Sequence, residues 1–354
     1  MNRMKILIMA LLVTACIKNG GEAVEEPLLK DFALKVNELS YHANLDKENG
    51  MATIGVIEYG GYVSGVSVDL ADGATISPNP NDFLGSWPQS QEFIVSKGEV
   101  SQKWTVRLTK YVSELPQIDG KDVIFRDEFD TDGEVNSEFW SLIGKGTAAW
   151  QTDMSGKAEH SYVKNGNLVL VIKRDDDGVV RSGGIRTEYK VGIKYDCHIE
   201  ARIKFLDDCD NAGQAFWLMP DSRYQIYKGW PDGGEIDILE HSYLHDYIQQ
   251  TVHSHYIDVV DPNNKYAGKP VYKGYNPGQY NIYGLDLLEN SLVFYTNGEK
   301  TMTYENMHLD NESEMKQWPF TSDYYIILST SPVGAKNLNA PSYMYVDWVR
   351  VTKL

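Results

Sequence analysis

The stretch Trp230-Pro231-Asp232-Gly233-Gly234-Glu235-Ile236-Asp237-Ile238-Leu239-Glu240 decides the reading of this chain. Its second half has the apolar content of a strand, yet three carboxylates fall within six residues. Strand side chains alternate between faces, so Glu235 and Asp237 point the same way. Plain alternation would put Leu239 next on that face and turn Glu240 to the other. One extra residue at Ile238-Leu239, a β-bulge, returns Glu240 to the face of the other two acids, the kind of re-aiming for which bulges are enriched beside active sites. Three acids crowded on one face repel one another and weaken a purely structural strand. At least one of them has a raised pKa, which suits a proton donor. The alternative is an acidic edge strand or a carboxylate cation site.

Glu-Ile-Asp-Ile-Leu-Glu, preceded by Trp-Pro and Gly-Gly, resembles the active-site strand of glycoside hydrolase family 16, and the extra residue resembles its bulged, laminarinase-like branch. The resemblance runs over roughly residues 122–354, with landmarks in order. These include Val123 to Asp130, Tyr162 to Leu170 around Asn165-Gly166, Ser182 to Glu188, Tyr195 to Phe205, Ala215 to Pro220, Tyr324 to Leu328 and Met344 to Val351. It implies a retaining endo-β-glycanase on a concanavalin-like jelly-roll β-sandwich. Glu235 is then the nucleophile, Asp237 its electrostatic helper and Glu240 the general acid/base. Retaining chemistry places two carboxyl groups about 5–5.5 Å apart across the glycosidic bond.

Around this module the chain divides as follows. Met1 to Ala15, with two early positive charges and the apolar run Ile6 to Val13, reads as a secretory signal too short to span a membrane. Val13-Thr14-Ala15-Cys16 resembles a lipoprotein cleavage box, with Cys16 as the lipidated residue; an ordinary signal with an incidental cysteine is the alternative. Residues 16–27 are a polar, acidic tether. Residues 28–117 read as short strands (Ala52 to Ile57, Val66 to Leu70, Trp104 to Leu108) between Gly- and Pro-rich turns, a small immunoglobulin-like β-sandwich. It is a spacer, or a glycan-binding module using Trp87, Tyr59 or Tyr62. Leu115 to Lys121 reads as a linker, and residues 118–354 form the jelly roll. The fold class is all-β, with no helical period beyond a couple of turns.

Further site candidates surround the triad. Sugar rings have apolar faces that stack on indole, so Trp217, Trp230 and Trp150 are platforms or core. His253 and His255 lie two apart in a segment that reads as a strand, so both face one way. The family places a histidine at the first of these, while a zinc site with the nearby acids is the alternative. Arg186 and Glu188 bind sugar hydroxyls at a distal subsite or form a surface ion pair. The resemblance also implies a structural calcium held by Glu128, the Gly166 carbonyl and Asp347, and no cofactor for catalysis. Cys197 and Cys209 are separated by most of a strand, too far for a disulfide, so both thiols are expected free.

The net charge of −17 disfavours nucleic acid and other polyanions as partners. The expected partner is a polysaccharide or oligosaccharide, met by a monomer that touches the membrane only through a lipid anchor. The expected site is the bacterial outer membrane or cell surface, otherwise the periplasm. The resemblance covers endo-β-galactosidases on poly-N-acetyllactosamine or mucin-type O-glycans as well as endo-β-1,3-glucanases and mixed-linkage glucanases. Ser254-His255-Tyr256, and Ser329 to Pro332 in place of a Gly-rich stretch, depart from the glucanase pattern and lean toward a galactose-containing glycan. A catalytically silent, glycan-binding surface lipoprotein is the reading from another class.

Overall fold

Strict alternation along Cys197–Phe205 shows how the second module is built: Cys197, Ile199, Ala201, Ile203 and Phe205 are buried, and the four residues between them are half-exposed. One face packs inward and the other is wet, as in an antiparallel sandwich. The computed structural model describes residues 27–36, 39–57, 63–84, 87–88, 90–111, 117–205, 212–242, 247–263, 271–272, 275–332 and 341–354. The Cys16 and signal-segment expectations, and Cys209, lie outside these residues. Cys197 is buried, with Sγ 3.2 Å from the Lys194 carbonyl.

Two large sheets face each other. The opposing sheet is centred on Ser342–Lys353 between Leu168–Arg174 and Cys197–Phe205, and continues through Asn281–Leu287, Ser291–Thr296 and Glu299–Glu305. Its hairpins turn at Asn165-Gly166 and Asn297-Gly298, both residues of each pair having positive φ (51° and 69°, 52° and 80°), as tight two-residue turns require. The site-bearing sheet runs Val271–Tyr272, Ile248–His253, Glu235–Ser242, Ala212–Pro220, Tyr324–Pro332 and Val191–Ile193. Between the sheets lie Phe216, Leu218, Ile236, Ile326, Leu328, Tyr283 and Phe294, all fully buried.

The site-bearing sheet does not stop at Val191–Ile193. That strand pairs with Leu39–His42 of the amino-terminal module (Val191 opposite Tyr41, Gly192 opposite Ser40, Ile193 opposite Leu39), and Leu29–Val36 and Val63–Leu70 follow. The amino-terminal module is thus a sandwich whose first sheet is an extension of the second module's sheet. Its other sheet runs Asn44–Asp46, Met51–Ile57, Val100–Tyr111, Ser90–Lys97 and Thr75–Ser77, the second and third strands being parallel. Phe32, Trp87 and Phe93 pack between the two with ring centroids 5.5–6.1 Å apart. Trp87 is therefore core, 5% exposed, and not a glycan contact; Tyr59 and Tyr62 lie outside the described residues. In the expected linker, Gln117–Ile118 turns back through Asp119-Gly120 and pairs with Lys121–Asp127.

Candidate active site

The bulge of the triad strand is visible in its register. On one side Trp217 stands opposite Asp237 and Phe216 opposite Leu239; on the other Thr251 stands opposite Asp237 and Gln249 opposite Glu240. The extra residue lets Ile238 and Leu239 both bury completely, while Glu235, Asp237 and Glu240 line one cavity of about 330 Å³. A bulge leaves backbone groups outside the ladder, and a buried one needs another partner. Gln250, fully buried, donates from Nε2 to the Ile238 carbonyl at 3.1 Å and accepts the Thr301 hydroxyl at its own oxygen. At the start of the strand Gly234 has φ +85°, and a Cβ there would sit 2.7 Å from the Tyr324 hydroxyl oxygen. Only glycine brings the chain into Glu235 this way.

Each carboxylate has a different partner. Glu235 Oε2 accepts the indole N–H of Trp230 at 2.6 Å. Glu240 Oε2 accepts the Thr251 hydroxyl at 3.0 Å. Asp237 Oδ2 lies 3.5 Å from His253 Nε2, whose Nδ1 is 2.9 Å from Asp258 Oδ1. Burial raises the pKa of all three acids, and like charge on a neighbouring member of the set adds to it. Burial works against the His253 imidazolium, but Asp237 and Asp258 outweigh it and push its pKa up to about 11. A fixed positive charge therefore sits beside Asp237.

The other candidates fall in three places. Trp217 and Trp150 line the triad cavity. Trp217 is only 4% exposed, its Nε1 donates to Ser329 Oγ at 3.0 Å, and Trp150 meets it edge-on at 4.8 Å, so the pair form a wall with little free ring face. Trp230 is 59% exposed and offers a face. His255 does not share a strand with His253: the strand ends at His253, and His255 pairs through Nδ1 with Asp232 at 2.9 Å. The two imidazoles thus serve different carboxylates, and the zinc alternative has no convergent pair to rest on. Arg186 and Glu188 bind each other at 2.9 Å. Arg186 lies on a strand paired with Tyr324–Pro332, three strand spacings or about 14 Å from the triad strand.

The carboxylates of the expected calcium set are engaged by arginines instead. Both oxygens of Glu128 are taken by Arg350, at 2.8 and 2.9 Å, and Asp347 is bonded to Arg202. Guanidinium groups occupy the positions where a cation would have to bind, so this donor set does not fit calcium. Gln250, Thr251, Asp258 and Asp232 were not anticipated. Extending the alternation from His253 back to Thr251 and Gln249 would have exposed one of them. Asp232 and Asp258 act through chain turns that no spacing rule predicts.

Residues 138–334 match the family model described as 3-keto-alpha-glucoside-1,2-lyase-like domain, and residues 4–129 match a domain of unknown function (DUF4971). The chain is 31% identical over 278 residues to a keratan-sulfate endo-1,4-beta-galactosidase of Sphingobacterium multivorum, covering 73% of this chain and 60% of that protein. It thus spans less than two thirds of that relative's length. A solved structure from work on endo-acting O-glycanases, with which members of the human gut microbiota initiate mucin breakdown, matches at 30% identity and TM-score 0.57, over 66% of this chain and 100% of the other. A non-specific endo-beta-1,3(4)-glucanase from family GH16 matches at 26% identity and TM-score 0.56, over 68% and 94%.

Proposed function

The chain belongs to glycoside hydrolase family 16, and from that premise we propose that it is a retaining endo-β-glycosidase whose substrate is a galactose-containing glycan of the poly-N-acetyllactosamine or mucin O-glycan class. The observation that carries the reaction is the bulge-borne set of three carboxyls, each with a different partner. The indole N–H on Glu235 and the imidazolium beside Asp237 favour both as carboxylates. Burial and the like charge of Glu235 raise the Glu240 pKa, with the Thr251 hydroxyl and the His253 charge working against them; three buried carboxyls this close hold at least one proton, and the family resemblance assigns it to Glu240. Glu235 attacks the anomeric carbon while Glu240 protonates the departing oxygen; water then attacks the glycosyl-enzyme with Glu240 as base, releasing Glu235. These steps need no metal or cofactor.

The galactose assignment is supported by the 31% identity to a keratan-sulfate endo-galactosidase and by the likeness to the O-glycanase structure. Ser329 and Ser331, which line the cavity, are small polar groups in the segment that departs from the glucanase pattern. The glucanase of family GH16 keeps β-1,3- or mixed-linkage glucan as the second reading. Digestion of keratan, mucin, laminarin, lichenan and agarose tests it. The expected result is a ladder of oligosaccharides from keratan or mucin, with the fresh reducing end in the β configuration by NMR. Activity on laminarin alone would overturn the substrate. An inverted or unsaturated product would overturn the mechanism.

We propose further that the enzyme is a monomer held at the outer membrane or cell surface by lipid on Cys16. Metabolic labelling with a fatty-acid analogue checks this: wild type should be labelled, and Cys16→Ala should lose the label and leave the membrane fraction.

A further inference from the structure

After Ala212–Pro220 the chain does not return directly to the triad strand. Residues 221–234 first cross onto the amino-terminal module. Arg223 reaches Asp31 of the strand Leu29–Val36, its Nη1 2.5 Å from Asp31 Oδ1, while its Nε and Nη2 hold Asp221 at 3.0 and 2.7 Å. Tyr224 donates its hydroxyl to Asp31 Oδ2 at 2.7 Å, accepts the Ser67 hydroxyl at 3.1 Å, and stacks on His42 at 5.8 Å. Asp31, His42 and Asp221 are each at most 4% exposed. Burial alone would raise the Asp31 pKa; His42, Arg223 and Tyr224 together hold it below the usual range.

From this knot the same segment runs six residues to Trp230, the residue that donates to Glu235. The path between is braced. Gln225 Oε1 accepts the Gly229 amide at 3.2 Å, the Gly233 amide donates to the Gly229 carbonyl at 2.7 Å, and the Tyr324 hydroxyl donates to the Gly233 carbonyl at 3.0 Å. Asp232, two residues beyond Trp230, is held by His255 and Lys316.

We propose that the amino-terminal module is a working part of the catalytic site: Asp31, Arg223 and Tyr224 are positioning residues that set Trp230 against Glu235. The proposal rests on the reading of Glu235 as nucleophile. A spacer would have no reason to bury two carboxylates against a half-buried guanidinium at its contact with a loop; an ion cluster drawn out of water is costly unless its geometry is maintained. Its best-supported use is to select one arrangement, here that of the loop. Small misplacements near a reacting centre cost up to ~10²-fold in rate.

The test uses the full chain with Tyr224→Phe, Asp31→Asn and, as reference, Trp230→Phe. Tyr224→Phe removes one hydroxyl and is the conservative probe should Asp31→Asn fail to fold. Both anchor variants should lower kcat/KM by up to about tenfold, no more than Trp230→Phe itself, and move the acid limb of the pH profile upward, the direction that loss of the donor to Glu235 produces. Amide exchange should quicken across residues 225–234. Added to Trp230→Phe, Tyr224→Phe should have little further effect on the acid limb, because both act through one hydrogen bond. An unchanged rate and pH profile in folded anchor variants would overturn the proposal, as would fully additive effects. If wild type cleaves none of the glycans, the functional reading fails instead, and the exchange rates still decide whether the module holds the loop.

Discussion

Trp230 and Glu235 are five residues apart and joined by a 2.6 Å hydrogen bond from indole N–H to carboxylate. A tryptophan at the mouth of a cleft is usually read as a surface for sugar. Here its edge also acts on the nucleophile, because a donor to a carboxylate stabilises the charged form. Trp230→Phe keeps a stacking ring and removes the donor. The Glu235 pKa should rise, so the acid limb of kcat/KM should move to higher pH and kcat should fall about tenfold, roughly the strength of one charge-assisted hydrogen bond. An unshifted acid limb would mean the bond has no role in the charged state.

Glu235→Gln and Glu240→Gln should each reduce turnover by a factor on the order of 10³ or more, as removal of a central catalytic group does. Thermal unfolding should hold steady or rise slightly, since each change relieves buried like charge. Glu240→Ala should still be glycosylated by a substrate with a good leaving group, and azide should accelerate its turnover. Retention of a tenth of wild-type activity in either glutamine variant would displace the assigned roles.

Gln250→Leu is close in size and apolar, but strands the Ile238 carbonyl and the Thr301 hydroxyl. Leaving a buried polar group unpaired costs about 1–3 kcal/mol. Urea unfolding should show that loss, with activity falling further than stability because the bulge aims Glu240. A variant of wild-type stability and rate would mean that the bulge holds itself.

His253 has a folded-state pKa near 11, against an ordinary value of 6.5. A group raised in this way contributes stability that is complete below its unfolded pKa and is lost as pH rises through the folded one. Wild type should therefore lose stability between about pH 6.5 and 11, and His253→Gln should flatten that slope when the two are compared by chemical denaturation. Parallel curves would remove the imidazolium from the site.

Chelators and added calcium should leave the melting temperature of wild type unchanged, because Arg350 and Arg202 occupy Glu128 and Asp347. A clear rise in melting temperature on adding calcium would show that the arginines yield to the ion.

The bulge was legible because two adjacent apolar residues, Ile238 and Leu239, interrupt an alternating run, and only a register shift buries both. The turn at Asn165-Gly166 was legible for an equally local reason, the positive φ that those residues tolerate. His255 was misplaced because the strand is ended from outside its own pattern: Asp258 accepts the Ser254 amide at 3.1 Å and turns the chain. The burial of Trp217 depends on Trp150, 67 positions away in the chain. The arginines that neutralise Glu128 and Asp347 arrive from 222 and 145 residues away. Pairing of Tyr41 with Val191 is equally non-local. Local chemistry reads from sequence, whereas choice of partner across the chain does not.

That last pairing bears on how the protein can be handled. Val191–Ile193 is a short run of Val, Gly and Ile, buried and hydrogen-bonded on one side to the amino-terminal strands. A catalytic fragment begun near residue 118 would uncover it as an unpaired edge with no charge or proline to blunt it. Such edges recruit strands from other molecules. The fragment should express poorly or self-associate for a reason unrelated to its chemistry, and the full chain carries its own edge protection.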